Sequence, residues 1–253
     1  MLANLGYGRA MAKSGIYGGS DPRELPAYPL IEVSHFLWLA RAKADRWAFG
    51  YERTTGKHSP VIRVADPAAR VLSFNNLAEL HVLSALRHHR VPLQRVRAAI
   101  RYLRQNVVGD HPHPLLAVDL HTDGLSIFVE YLGQYINITK YGQGVLRQMF
   151  EAHLQRIERD PNEHVVRLYP FVRPPNGVSA TSVGDVAQQP KAVAIDPFVS
   201  FGRPVVAGTG IPTVELANRF SAGEPIESLA TDMNLAPETI EEAIRYQLAT
   251  RAA

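Results

Sequence analysis

The stretch Phe201-Gly-Arg-Pro-Val-Val-Ala-Gly-Thr-Gly-Ile-Pro-Thr213 places three glycines and two prolines within twelve positions. Glycine permits a positive φ, whereas proline fixes φ and removes a backbone donor. The stretch therefore predicts a tightly turned connector, with Val205-Val206 as a short strand. Pro212 then leads into a helical pattern that starts near Thr213. Neither a G-K-[ST] nor a G-x-G-x-x-G pattern is present, so a phosphate-binding loop is not indicated.

Three helical patterns follow this connector, at residues 214–221, 226–233 and 238–251. The short loop between the second and the third predicts a helix-turn-helix geometry. The last helix, however, begins with Glu238, Glu241 and Glu242, which repel DNA phosphates. A protein-binding or dimerising role therefore fits this region better than DNA binding.

The region before the connector predicts a small α+β unit and a linker. Residues 115–120 and 125–131 are apolar runs separated by Thr122-Asp123-Gly124, which is a hairpin signal. We expect residues 135–139 to continue this sheet, residues 145–157 to form a helix, and residues 165–172 to form a last strand. A structural or dimerising role is favoured for this unit, and the Pro- and Gly-rich composition that follows predicts a linker.

The N-terminal part predicts a winged helix-turn-helix. Apolar residues recur at helical spacing in residues 30–37, and a second short helix at 41–49 is basic. Residues 61–64 and 70–74 are predicted to form a hairpin, which would be the wing. Helices are expected at residues 77–88 and 93–105. A basic second helix can lie in the major groove, although an ordinary helical hairpin with solvated charges has the same pattern. The DNA-contacting candidates are Arg41, Lys43, Arg46, Arg53 and Lys57.

The charges are distributed unevenly along the chain. Residues 1–104 hold 16 Lys and Arg against 7 Asp and Glu, and residues 105–253 hold 11 against 17. This asymmetry favours a nucleic-acid-facing N-terminal part, although uneven charge is common in chains of two domains. The most basic run of the chain has three possible interpretations. It contacts the DNA backbone, it binds an acidic partner protein, or it is a solvated helix face. Its arginines are Arg87, Arg90, Arg95, Arg97, Arg101 and Arg104.

Composition excludes several classes of protein. The chain has no cysteine, so disulfides, cysteine zinc sites and thiol catalysis are excluded. No run of 18 apolar residues and no signal-peptide pattern is present, so we expect a cytoplasmic protein. Histidines 111 and 113 lie in a Pro-containing loop without metal-ligand spacing, so we expect no metal and no cofactor. Asp119, His121 and Asp123 form the only cluster worth testing for catalysis, and we expect no enzymatic activity.

Specific residues resemble a known bacterial family. Asp196-Pro197, Gly202-Arg203-Pro204 and Gly208-Thr209-Gly210-Ile211-Pro212 resemble the GRP-V-GTRIPV module of VapB-type antitoxins, which are partners of PIN-domain ribonuclease toxins. The family usually has Arg where this chain has Gly210. The segment from Gly18-Gly19 to Pro26 extends the resemblance over most of the chain, and Tyr28, Glu32 and Leu37 are similar to the first helices of MerR-like domains.

The resemblance implies an antitoxin that binds a VapC-type toxin, a Mg²⁺-dependent ribonuclease with clustered carboxylates, and that represses its own operon. An inhibitor arginine can pair with such carboxylates, and the candidates are Arg203, Arg245 and Arg251. We expect an α+β protein and a homodimer, because operators often require two-fold symmetry. The alternative is a stand-alone DNA-binding regulator. The expected parts are an arm (1–27), a MerR-like winged helix-turn-helix (28–106), an α+β subdomain (107–172), a linker (173–191) and a C-terminal helical domain (192–253).

Overall fold

The N-terminal helices form where apolar residues recur at helical spacing. In the computed structural model, which describes residues 17–53, 56–86, 91–120, 124–136, 140–173 and 180–252, the first helix buries Leu30, Val33 and Phe36. The second helix buries Ala44 and Trp47. The elements here are β1 (Tyr28–Pro29), α1 (Leu30–Phe36), α2 (Arg41–Phe49), β2 (Tyr51–Arg53), β3 (Gly56–His58), β4 (Val71–Leu72), α3 (Phe74–Leu83) and α4 (Leu93–Leu103).

The wing lies earlier in the chain than the sequence predicted. β2 pairs with β3 in an antiparallel hairpin, whereas β4 pairs with β1. The predicted strand at residues 61–64 is wrong, because its backbone groups bond elsewhere. The Val61 amide donates to the Trp47 carbonyl, and the Asn76 side chain bonds both the Ala65 amide and the Arg63 carbonyl. These bonds satisfy the segment without a partner strand.

Helix α3 is the central helix of this part. Its N-cap is Ser73, whose hydroxyl accepts from the Asn76 amide while the Asn76 side chain accepts from the Ser73 amide. This capping box starts the helix three residues before the predicted start at residue 77. The helix is buried on nearly every side, and a 3-10 turn, Ser84–Leu86, continues it. Helix α4 ends in a π-helical turn, Arg104–Val108.

The middle of the chain is more helical than predicted. The expected hairpin between residues 115 and 131 is wrong, because Leu125, Phe128, Val129 and Leu132 are buried at the i, i+3, i+4 and i+7 spacing of a helix. Residues 137–139 of the expected strand lie outside the described residues. The elements are a 3-10 turn (Pro114–Leu116), α5 (Leu125–Ile136), α6 (Lys140–Leu154), β5 (Ile157–Arg159) and β6 (Val165–Leu168).

A helix, α7 (Ala180–Ala187), lies within the stretch predicted as a linker, and it packs on α6. Its exit is tied to the middle of the chain by Arg156, whose side chain is buried. That guanidinium donates to the carbonyls of Tyr169, Pro170, Gln189 and Pro190. Burial lowers the pKa of Arg156 to about 10. The division into domains stays a prediction.

The C-terminal part has the predicted elements. Two short strands pair antiparallel and three helices follow, so the expected strand at Val205-Val206 and the three helical patterns are confirmed. Helix α10 buries Tyr246, whose hydroxyl donates to the Phe36 carbonyl and whose ring meets Trp38 edge-on. The elements are β7 (Val193–Ala194), β8 (Val205–Val206), α8 (Thr213–Ser221), α9 (Ile226–Met233) and α10 (Pro237–Ala252).

The whole is α+β, as predicted, with helices and small antiparallel sheets. The buried apolar residues form one core cluster that includes helices of both the N-terminal and the C-terminal part. Within the part of the chain that the structure describes, no helix has both the length and the apolar composition needed to cross a membrane.

Candidate nucleic-acid and partner-binding surfaces

Helix α2 presents a basic face to solvent. Arg41 stands at its first position and is exposed, and Arg46 is exposed one turn later. The Arg46 Nε donates to the Ala42 carbonyl at 2.8 Å, which anchors the side chain near the helix surface. Lys43 is half-buried, with its ammonium 5.3 Å from the centre of the Trp47 ring. The helix therefore offers Arg41 and Arg46 freely and holds Lys43 closer to its own surface.

The β2–β3 hairpin follows α2 directly, and its two arms lie close together where α2 ends. Gly50 joins the two with a φ of 74°, and a Cβ there would lie 2.2 Å from the His58 carbonyl oxygen. Within the hairpin, the Tyr51 and His58 rings stack at 4.4 Å. In this hairpin, Arg53 lies opposite Gly56 and Lys57 lies opposite Glu52. The side chains of these two predicted DNA contacts lie outside the described residues. The backbone thus places both positions in the hairpin that directly follows α2.

Helix α4 carries part of the most basic run. Arg95 and Arg101 are exposed, and Arg97 and Arg104 are half-buried. Burial lowers the pKa of Arg97. Arg87 and Arg90 lie outside the described residues.

The Gly-rich connector contacts β1, the strand directly before helix α1. The Tyr28 hydroxyl donates to the Gly202 carbonyl at 3.1 Å, and Tyr28 is buried, which raises its pKa well above the ordinary value. Gly202 has a φ of 74°, and a Cβ there would lie 2.1 Å from the Tyr28 hydroxyl. Glycine is therefore required at this position by both the conformation and the contact. The connector and the helix-turn-helix share one interface.

The three predicted toxin-binding arginines have different environments. Arg203 has a side chain that is 63% exposed, and its Nη1 donates to Glu32 at 2.9 Å. Arg245 is paired with both Glu241 and Glu242 on its own helix. Arg251 lies in the last turn of α10, and its side chain is outside the described residues. The structure brings none of them together, and Arg203 is the one among the described side chains that faces solvent most openly.

Two aromatic side chains beside Arg203 were not selected from the sequence. Phe198 is 49% exposed and Phe201 is 76% exposed. Phe201 follows Ser200, and the two have φ values of 54° and 47°. A left-handed conformation is uncommon for residues other than glycine and has no simple sequence signal. In the sequence, the Gly202 that follows indicates only a turn.

The His-rich loop forms a buried ion-pair cluster. His113 is 6% exposed, its Nδ1 lies 2.9 Å from Glu79 Oε2, and its Nε2 lies 3.0 Å from Glu24 Oε2. Burial works to lower the pKa of His113, but the hydrogen bonds and charges of Glu24 and Glu79 outweigh it and raise the pKa to about 9. Burial raises the pKa of Glu79. The cluster ties the N-terminal segment to α3.

This loop offers little to a metal ion. Each ring nitrogen of His113 already faces a carboxylate, and among the described residues no group of three or more His, Asp or Glu side chains has a metal-binding arrangement. Asp119 is exposed, whereas His121 and Asp123 of the candidate catalytic cluster lie outside the described residues.

Two family models match separate parts of this chain. Residues 26–100 match a model described as "Putative DNA-binding HTH domain", and residues 193–247 match one described as "Protein of unknown function (DUF433)". The first match contains β1 to most of α4, and it confirms the predicted N-terminal helix-turn-helix. The second contains the Gly-rich connector and most of the helices that follow it.

Similar proteins match nearly the whole chain. The chain is 30% identical over 243 residues to "Putative antitoxin VapB45" of Mycobacterium tuberculosis (strain ATCC 25618 / H37Rv), and the match covers 87% of this chain and 93% of that protein. It is 28% identical over 224 residues to "Uncharacterized protein Rv2308" of the same strain, covering 87% and 89%. The crystal structure of Rv2018 from Mycobacterium tuberculosis superposes with a TM-score of 0.59 at 25% identity, covering 87% of this chain and 98% of that one.

Proposed function

Because this chain belongs to the VapB45 antitoxin family, we propose that it is a non-enzymatic antitoxin that binds and neutralises a cognate toxin and binds DNA. The finer proposal is that the toxin is a VapC-type ribonuclease with a PIN domain, and that the DNA is the operator of the chain's own operon. The observation that carries the proposal is the full-length family match of a chain whose first part is a helix-turn-helix. Such a regulator works in the cytoplasm.

DNA binding is assigned to α2 and the adjoining wing. Arg41 and Arg46 are exposed on a short helix that follows a tight turn, which is the arrangement of a recognition helix. Arginine can bond guanine edges bidentately and can contact phosphates. Arg53 and Lys57 occupy the wing, and Lys43 lies over Trp47, so it contributes less than the two arginines. The protein acts as a homodimer, because a two-fold operator presents the same contacts to two copies.

Toxin inhibition is assigned to the C-terminal part. A guanidinium can pair bidentately with the carboxylates of a Mg²⁺-dependent ribonuclease and so compete with its metal or with substrate phosphate. Arg203 is the first choice because its side chain is largely exposed and its ion pair with Glu32 is of the solvent-exposed kind that contributes little free energy. Arg245 is the weaker candidate because two carboxylates of its own helix already neutralise it. Arg251 is retained as the third.

The test is co-expression of the chain with the product of the adjacent reading frame, followed by co-purification and a ribonuclease assay. The expected result is a stable complex in which RNA cleavage is silenced. The chain alone is then titrated against DNA from upstream of its own reading frame, with a scrambled duplex as the control. A free ribonuclease that stays active at saturating concentrations of this chain contradicts the antitoxin role.

A second function, a stand-alone DNA-binding regulator, is favoured by one observation. Glu241 and Glu242 on the last helix already pair with Arg245, so this arginine is less open to a toxin. Specific binding to the upstream DNA, with no complex formed with the adjacent product, identifies this second function.

A further inference from the structure

We infer that residues 198–203, the Phe198–Arg203 loop, form the surface on which the toxin docks, with Phe201 entering an apolar pocket and Arg203 pairing with carboxylates at its rim. This inference rests on the proposed antitoxin function and adds the docking surface to it. It starts from Phe201, whose ring is 76% exposed although it is the largest apolar side chain of the Gly-rich connector. An exposed phenylalanine gives the free protein no burial energy.

The backbone conformation of this loop is itself unfavourable. Ser200, Phe201 and Gly202 have successive φ values of 47°, 54° and 74°, so two residues with a Cβ adopt the left-handed region in sequence. Each such residue costs free energy relative to the right-handed conformation. A conformation of this kind persists where surrounding contacts impose it, and such sites cluster at ligand clamps. Here the conformation holds an aromatic ring away from the core.

Hydrogen bonds fix the loop from both sides. At its start, the Phe198 amide donates to the Asp196 carboxylate at 2.9 Å, and Asp196 is buried. In its middle, the Ser200 hydroxyl donates to the Gly210 carbonyl at 3.0 Å. At its end, the Gly202 carbonyl accepts from Tyr28. The loop therefore presents Phe201 in a defined position, and a preorganised aromatic anchor loses little entropy on binding.

The positive charge of Arg203, close to the Phe201 ring in sequence, indicates which kind of partner surface fits the loop. Arg203 is exposed two residues after Phe201, and its pair with Glu32 is of the solvent-exposed kind that contributes little. The module around it is otherwise acidic on its exposed face, so a positive guanidinium beside an apolar ring is a local exception. Its exposed acids include Glu215, Glu227, Asp232, Glu238 and Glu241. An apolar pocket with a carboxylate rim complements this pair, and aromatic and arginine side chains are the usual binding hot spots.

The experiment uses the full chain and the purified product of the adjacent reading frame, with affinity measured by titration calorimetry. The variants are Phe201→Asn, which removes the ring and keeps a residue tolerant of the left-handed conformation, and Arg203→Ala. The matched control is Phe220→Ser, which alters an exposed phenylalanine of the same module on α8. We expect Phe201→Asn to weaken toxin binding by about ten- to a hundredfold and Arg203→Ala by about tenfold, with the control near wild type. All three variants should remain folded in thermal unfolding, and their binding to the upstream DNA should stay at the wild-type level.

The outcomes separate this inference from the proposed function. If wild type binds the toxin and Phe201→Asn binds equally well, the docking surface is wrong and the antitoxin role stands. If wild type forms no complex, both fall. Light scattering tests the other possible occupant of the loop, which is a second copy of this chain. A Phe201→Asn variant that turns a dimer into a monomer while keeping toxin affinity makes the loop a self-interface and overturns the inference.

Discussion

Two regions of this chain have a pair of helices joined by a short turn, namely α1 with α2 and α9 with α10, and their exposed charges are opposite in sign. In the N-terminal region, helix α2 exposes Arg41 and Arg46, and the acid on that helix, Asp45, is paired with Arg70. In the C-terminal region, helix α10 begins with exposed carboxylates, and its Arg245 is paired with two of them. Geometry alone would assign DNA binding to both regions. The charge that remains after internal pairing favours the first region for the proposed DNA binding.

The regions also differ in how their ionisable groups are held. The N-terminal region contains a buried cluster in which His113 lies between Glu24 and Glu79. The C-terminal module has surface pairs such as Arg219 with Glu224 and Asp232. Exposed pairs contribute little to stability, whereas buried ones are costly to disrupt. The comparison therefore predicts that pH acts mainly on the N-terminal region and that charge substitutions in the C-terminal module act on partner binding.

The largest expected effect breaks the contact that joins the two regions. We expect Gly202→Ala to destabilise the protein by about 3 kcal/mol, because the new Cβ meets the Tyr28 hydroxyl in addition to straining a left-handed backbone. Gly208→Ala is the matched control, since Gly208 has a φ of 78° but nothing within 4 Å of its Cβ position. It should cost only the backbone strain, about 1 kcal/mol. Urea denaturation measures both, and equal losses would show that the Tyr28 contact has no energetic role.

The second prediction tests the charge difference directly. We expect the double variant Arg41→Ala, Arg46→Ala to bind upstream DNA about 30- to 100-fold more weakly and to show a shallower salt dependence. The mirror-image control is Arg245→Ala, which lies in the other helix-turn-helix and should leave DNA affinity unchanged. Fluorescence anisotropy at several salt concentrations measures both. A loss in the control that matches the loss in the double variant would assign DNA to the C-terminal region instead.

The third prediction concerns the buried cluster. Because the pKa of His113 is raised from about 6.5 in an unfolded chain to about 9, its stabilisation is fully present below pH 6.5 and is lost as the pH rises through 9. We expect a loss of about 2 kcal/mol across this interval, below the full linkage value because Glu24 is partly exposed. The raised pKa of Glu79 acts in the same sense lower on the pH scale, because its native carboxyl also binds a proton more readily than in the unfolded chain.

The measurement is urea denaturation between pH 6 and pH 9.5, followed on wild type and on His113→Gln. The variant should be less stable at pH 6 and should lose most of the wild-type dependence above pH 6.5. Identical pH profiles for the two proteins would mean that other groups set the alkaline limit of stability.

The sequence predicts those parts of the fold whose signals are local. The periodicity of α2 and of the C-terminal helices, and the turn residues of the connector, were sufficient there. The hairpin expected near residues 115–131 failed because an apolar run with Asp-Gly in its middle fits either period, and burial on α4 and α6 selected the helix. The expected strand at 61–64 failed because one buried side chain, Asn76, satisfies its backbone.

The candidate surfaces were less predictable than the elements that carry them. Sequence identified Arg41, Arg46 and Arg203 by type and position. It could not show that Arg203 pairs with Glu32, 171 positions away, or that Arg245 is neutralised within its own helix. The exposed Phe201 also has a left-handed backbone, and the residue after it is held by Tyr28, which is distant in sequence. Such properties arise from tertiary contacts, and periodicity contains no signal for them.

The smallest expected effect concerns the connector, where one substitution separates the contribution of Phe201 to stability from its contribution to binding. We expect Phe201→Gly to stabilise the free protein by about 1 kcal/mol, since glycine adopts a φ of 54° without steric cost and the exposed ring contributes no burial. The greater entropy of glycine in the unfolded chain offsets part of this gain. Phe198→Gly, in the same loop but without a positive φ, should destabilise instead. If removing the Phe201 side chain stabilises the fold, that side chain serves something other than folding. If Phe201→Gly loses as much stability as Phe198→Gly, Phe201 has an ordinary structural role.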